Sequence, residues 1–242
     1  MLKQILVLAK SKKMGGCCIA GLELVVDLDG QRFISSNWIR PVTIAENGEH
    51  KGCLPHSICS SFKVFDVIEI DLISAAPVFG QPENFLLNNL NISKVDSLDK
   101  FDCLKHFAKH NLTPWQDTRT VRDDQISPEA LAAETSHCSL MFIQPENLVF
   151  TLTLDFNLKK KLYASFTYQD KAYQRIPVTE PAFERLFKNE YPRVTGSSHD
   201  LTLRNGDAYW LTLSLTPEFM GHHYMLVAGV IDHFGYLNRS YG

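Results

Sequence analysis

The residues best suited to chemistry sit together in Lys12-Lys13-Met14-Gly15-Gly16-Cys17-Cys18, where two ammonium groups and two adjacent thiols flank a pair of glycines. A nearby ammonium favours thiolate over thiol, and thiolate is the nucleophile. Glycines let a backbone take positive φ and approach a ligand closely, so Gly15 and Gly16 could bring Lys12 and Lys13 against an anion or a flat base. Cys18 or Cys17 could then attack an electrophilic carbon such as a nitrile. Lys13 would favour the thiolate, and Glu23 or Asp27 would shuttle protons. Neighbours on a strand face opposite ways, so one of the two cysteines is expected to be a packing residue.

A second group is Cys53-x-x-His56-x-x-Cys59, with thiol and imidazole ligands at spacings that could clasp zinc; Cys103, His106 and His110 could supply more. Neither run matches a standard zinc module. No cofactor is required, and zinc is the metal these ligands would suit. His222, His223 and His233 could converge on a phosphate or cap strands. Phosphate loops, dinucleotide fingerprints and the Gly-x-Ser-x-Gly elbow are missing from the sequence, which disfavours ATPases and serine hydrolases.

These residues need elements to hold them. Ile5-Leu6-Val7-Leu8-Ala9 and Leu22-Glu23-Leu24-Val25-Val26 read as strands on either side of the glycine loop, and Asp27-Leu28-Asp29-Gly30 as a turn. Phe33 to Val42 and Val64 to Leu72 are further strands. Apolar positions at Leu98, Phe101, Leu104 and Phe107 predict a helix from about Asp96 to His110. Ser127 followed by Pro128 predicts a short helix with a serine N-cap, and Glu180-Pro181 to Lys188 a longer one. From Leu140 onward, short β-like runs separated by turn residues predict a second β unit. Gln-Pro-Glu-Asn at 81–84 and again at 144–147 hints at internal repetition.

The chain has 242 residues and 45% hydrophobic content, enough for one large domain or two ordinary ones, with disorder excluded. A formal net charge of −3 and a pI near 6.3 argue against non-specific coating of nucleic acid, though not against a local basic groove. No apolar run is long enough to span a membrane and no leader-like segment opens the sequence, so no membrane partner is expected. The expectation is a cytoplasmic protein whose six cysteines are reduced.

In order, the motifs Ile5 to Ser11, Gly15 to Gly21, Trp38-Ile39-Arg40-Pro41-Val42, Phe65 to Ile70, Gln81 to Asn84, Val178-Thr179-Glu180-Pro181, Leu213-Ser214-Leu215 and Leu226-Val227-Ala228-Gly229 resemble the bacterial dual OB-containing family. The resemblance implies a mainly β fold with a few helices: two tandem OB-like β-barrels joined by a helical segment. The corresponding boundaries are 1–92, a connector over 93–138, and 139–242. It also implies barrel faces that hold single strands by base stacking and backbone charge. Lys12, Gly15, Gly16, Trp38 and Arg40 would do so in the first unit. Tyr163, Phe166, Tyr168, Tyr173 and Arg175 are the materials in the second. Relatives resemble proteins of bacterial DNA-modification and defence clusters, with DNA and other modification proteins as partners. On that footing, one reading is conversion of a 7-cyano-7-deazaguanine base in DNA to its amide by cysteine-assisted nitrile hydration. The other is a non-catalytic single-strand-binding module that positions a partner enzyme.

Overall fold

The computed structural model describes residues 1–13, 16–44, 50–51, 53–98, 115–133, 138–155, 157–190, 199–202 and 209–232. The chain divides into two compact units, Met1–Phe107 and Ala108–Gly242.

In the first unit the strands are β1 (Leu2–Lys13), β2 (Gly16–Val26), β3 (Arg32–Ile44), β4 (His50–Lys51), β5 (Asp66–Ala75), β6 (Asn84–Leu87) and β7 (Ser93–Ser97), with a one-turn helix α1 (His56–Cys59) before β5. Neighbours run β1-β2-β3-β6-β5, and β5 pairs back onto β1, which closes a five-stranded barrel. Within it only β3 and β6 are parallel; the other neighbours are antiparallel. This is the strand order of an OB barrel. Alternation puts Ile5, Val7, Cys17, Ile19, Ile39, Ile68 and Ile70 into one buried core. Closure bends the long strands, and β1 breaks register against β2 between Val7 and Ala9. At the crossing, a Cβ on Gly21 would lie 2.0 Å from the Leu6 carbonyl oxygen, so only glycine lets the strands come this close.

The second unit contains β8 (Gln125–Ile126), α2 (Pro128–Ala133), β9 (Leu140–Ile143), β10 (Glu146–Leu154), β11 (Lys160–Tyr168), β12 (Lys171–Pro177), α3 (Pro181–Glu190), β13 (His199–Thr202), β14 (Tyr209–Leu215) and β15 (His223–Asp232). Its strands form two four-stranded sheets, β12-β11-β10-β13 and β8-β15-β14-β9. A parallel bridge, Val178 to Val227, links the end of β12 to β15, with the Thr179 amide donating to the Val227 carbonyl at 2.9 Å. That bridge repeats the β3–β6 relation, so β10-β11-β12 answer to β1-β2-β3, and β14 and β15 to β5 and β6. Among the described residues the closing β1–β5 pair has no counterpart here, because β10 pairs with β13 and β14 with β9. Glu180 caps α3 by accepting from the amides of Ala182 (3.0 Å) and Phe183 (2.5 Å).

Three expectations are corrected. Residues 93–138 do not form a helical connector throughout: Ser93–Ser97 is a strand paired with β5, Gln125–Ile126 pairs with β15, and the described helix is α2 alone. The rest of the expected helix, residues 99–110, lies outside the described residues. The Gln-Pro-Glu-Asn repeat is not structural duplication. Its first copy is largely buried and leads into β6, whereas Gln144 is exposed ahead of β10, a strand in a different position of the plan, and Glu146 is exposed at its start. Reduced thiols throughout were also expected, but Cys17 and Cys59 form a disulfide across 42 residues with Cα atoms 6.3 Å apart. Sequence spacing carries no information on which distant cysteines meet.

Candidate nucleic-acid interface

The glycine loop is the tip of the β1–β2 hairpin, with Lys12 opposite Cys17 and Lys13 opposite Gly16. The Lys12 side chain is exposed; that of Lys13, and all of Gly15, lie outside the described residues. Cys17 is buried at 1% exposure. Its amide donates to the Leu54 carbonyl at 3.0 Å, and the Leu54 amide donates back at 2.7 Å. A Cβ on Gly16 would stand 2.2 Å from that same Leu54 oxygen, so this glycine serves the strand crossing. With Cys17 bonded to Cys59, Cys18 is the half-buried member of the pair that keeps its thiol.

No carboxylate of the expected pair joins these cysteines. Glu23 lies five and six residues along β2 from Cys18 and Cys17, a separation of roughly 16–20 Å at strand rise. It is bonded to the Lys3 ammonium and accepts from Asn37 Nδ2 at 3.3 Å. Asp27 anchors its own turn, accepting from the amides of Asp29 (3.0 Å) and Gln31 (2.7 Å).

Trp38 and Arg40 share a face, as alternation requires, but it is a covered one. Trp38 is 9% exposed and Arg40 4%. Leu22 pairs with both Leu6 and Trp38, and Leu6 with Val67, so a buried row crosses four strands. These residues alternate with the core set of Ile5, Ile39 and Ile68, and so form a second apolar layer on the other side of the sheet. Arg40 Nη2 meets Glu83 at 3.0 Å, and the Arg40 amide donates to the Glu83 carbonyl at 2.9 Å. This guanidinium binds the β5–β6 connection to β3.

The zinc-like run is also dispersed. Cys53 is buried, His56 is exposed at the start of α1, and Cys59 is bonded to Cys17. Among the described residues no group of three or more His, Cys, Asp or Glu is placed to hold a metal ion. Cys103, His106, His110 and His233 lie outside them. His223 is fully buried with Nδ1 2.9 Å from the Thr216 carbonyl, and His222 Nδ1 is 3.2 Å from that of Met220.

The second unit presents a different outer face. On β11, Leu162, Ala164 and Phe166 point inward, and Tyr163 and Ser165 point outward half-exposed. Phe166 stacks on the fully buried Tyr173 at 5.1 Å, so this pair is core. Burial of the half-exposed Tyr168 raises its phenol pKa. Between Ala164 and Phe166 the β11–β12 register slips, and there Arg175 takes φ 56°, with its amide donating to Ser165 Oγ at 3.0 Å. The left-handed backbone costs a non-glycine residue about 1–2 kcal/mol. The bulge re-aims the side chain, and the guanidinium lies 4.5 Å from the centre of the Tyr163 ring. Arg175 remains exposed. The Gln174 amide donates to Asp123 at 2.6 Å, which draws the 117–124 segment against this strand.

A family model agrees with this architecture. The profile of the dual OB-containing domain matches residues 3–230. The chain belongs to that family. No curated protein matches it. OB barrels commonly bind oligonucleotides across their second and third strands. In this dual OB chain the equivalents are β2–β3, whose outer residues Leu22, Trp38 and Arg40 are buried, and β11–β12, where Tyr163 and Arg175 are accessible. No helix among the described residues is long and apolar enough to cross a membrane.

Trp38 and Arg40 are expected binders of the first unit and Tyr163 and Arg175 of the second; which pair is covered does not show in spacing.

Proposed function

We propose that this dual OB protein binds unpaired nucleic acid on the outer face of its second unit, across β11 and β12. The supporting observation is the Arg175 guanidinium held over the Tyr163 ring by a left-handed residue at a bulge. Strained backbone of this kind persists where the surrounding structure enforces it, and it gathers at functional sites. Guanidinium and phenol planes are both surfaces on which a base can stack.

The test is fluorescence anisotropy with a labelled single-stranded oligonucleotide. Arg175→Ala and Tyr163→Ala should each weaken binding by about fivefold or more, given about 1–3 kcal/mol per stacked base. Cys18→Ala should bind as the wild type does. Unchanged affinity in both second-unit variants would refute the reading.

Conversion of a cyano-deazaguanine base is a second reading, and it narrows to Cys18. That thiol is half-buried beside a hairpin tip bearing Lys12, whereas Cys17 is bonded and Glu23 is engaged by Lys3. Its test is a gain of one water by modified DNA, lost in Cys18→Ala and retained in Glu23→Gln.

A further inference from the structure

Beside Tyr163 and Arg175 lies a second group that the barrel strands alone do not supply. Arg122 is held edge-on by Asp124, with Nε to Oδ1 at 2.8 Å and Nη2 to Oδ2 at 2.6 Å, while its side chain stays 56% exposed. Asp124 is itself buried, and its carbonyl accepts from the Met225 amide at 2.8 Å. Hydrogen bonds that Arg122 donates to Asp124 raise the Arg122 pKa most, opposed by burial; the charge of Asp124 and the phenols of Tyr224 and Tyr163 add to the rise. Gln125 pairs with Tyr224, and Asp123 accepts from the Gln174 amide at 2.6 Å, so the segment carrying Arg122 touches both β15 and β12. Tyr224 is half-exposed, and its ring centre is 6.4 Å from those of Phe219 and His222.

Phe219 and His222 are a bridged pair, with amide-to-carbonyl distances of 2.8 and 3.1 Å, across a two-residue turn of Met220 (φ 50°) and Gly221 (φ 78°). Two successive positive φ values give this hairpin the turn type that matches strand twist. It nevertheless leaves Phe219 61% and Met220 80% exposed.

We propose that Arg122, Tyr224 and Phe219 form a second stacking station, holding an unpaired base next to the one taken by Tyr163 and Arg175. The unit thereby selects single strands by their bases rather than by backbone charge. This rests on the binding reading above and deepens it. Charge favours bases over phosphates as the recognised group, because Asp117, Asp123 and Asp124 stand against Arg119, Arg122 and Arg175 in the same region. Duplex DNA buries its base faces and offers such a surface little.

The experiment uses the full chain with labelled oligothymidylate, oligouridylate and a duplex. Phe219→Ala, at an exposed position, should keep the melting temperature and lose about fivefold or more in affinity for single strands. Phe219→Trp should restore it. Arg122→Lys, which keeps charge but loses the plane, should also weaken binding. The salt dependence should be shallow and unchanged in Phe219→Ala, since no phosphate contact is removed. Loss on both single strands, or on one, supports the station and identifies which strand it takes. If Arg175→Ala weakens binding and Phe219→Ala does not, the second station is wrong and the first stands. If duplex binds as tightly as single strands, base selection is overturned. If the wild type binds no oligonucleotide, both readings fall.

Discussion

Arg40 offers the sharpest test of how the first unit is built. Its side chain and that of Glu83 are 5% and 4% exposed, and they meet at 3.0 Å beside a main-chain hydrogen bond of 2.9 Å. Arg40→Met keeps the apolar stem and strands a buried carboxylate. Breaking a buried pair from one side costs about 3–5 kcal/mol. At about 2–4 °C per kcal/mol for a chain of this size, the melting temperature should fall by roughly 6–20 °C. Replacing both partners, Arg40→Met with Glu83→Leu, should recover most of that loss, because a buried ion pair is often no better than packed apolar groups. Circular dichroism melts of the four proteins in the cycle, with oligonucleotide anisotropy on the same samples, provide the readout. Arg40→Met melting within about 2 °C of the wild type while losing binding would refute the reasoning and return Arg40 to the ligand surface.

Other outcomes follow from the same geometry. Reduction of Cys17–Cys59, or Cys59→Ala, should destabilise the first unit by up to about 4 kcal/mol, the loop-closure entropy for the 42-residue separation, measured by urea unfolding with and without reductant. Gly21→Ala should destabilise by about 1–3 kcal/mol or more, since its Cβ meets backbone and not a flexible side chain; Gly16→Ala should do the same, and melts would show it. Asp117 is held well below the usual carboxylate range, chiefly by the Ser127 hydroxyl, then by the amides of Arg119 and Ser127. A depressed folded pKa contributes stability that is complete above the unfolded value of about 3.9 and lost as pH falls toward the folded one. Asp117→Asn should therefore be less stable than wild type at neutral pH, and the gap should close below about pH 4 in acid unfolding.

Local signals were legible wherever neighbours in sequence decide the structure. The turn at Asp27 to Gly30 is closed by its own aspartate, with Gly30 at φ 78°. Ser127 caps α2, accepting from the Ala130 amide at 3.3 Å, and Glu180 caps α3. The apolar run Ile5 to Ala9 and the strand-forming residues of Val64 to Leu72 marked two barrel strands, and the order of motifs along the chain pointed to paired OB units. The candidate site was legible only in part: Tyr163 and Arg175 were named, yet Phe166 and Tyr173, named with them, are core.

By itself, the sequence determined the β character, the division into two units, the turns and the caps, because strand periodicity and capping act over a few residues. Tertiary structure alone decided which of two similar faces is open. Trp38 and Arg40 have the composition of a binding pair and are covered, whereas a bulge swings the exposed Arg175 over Tyr163. It also decided that Cys17 meets Cys59, that Glu23 is taken by Lys3, and that Asp123 meets the Gln174 amide. Burial and long-range pairing depend on how a sheet closes, and spacing along the chain does not encode that.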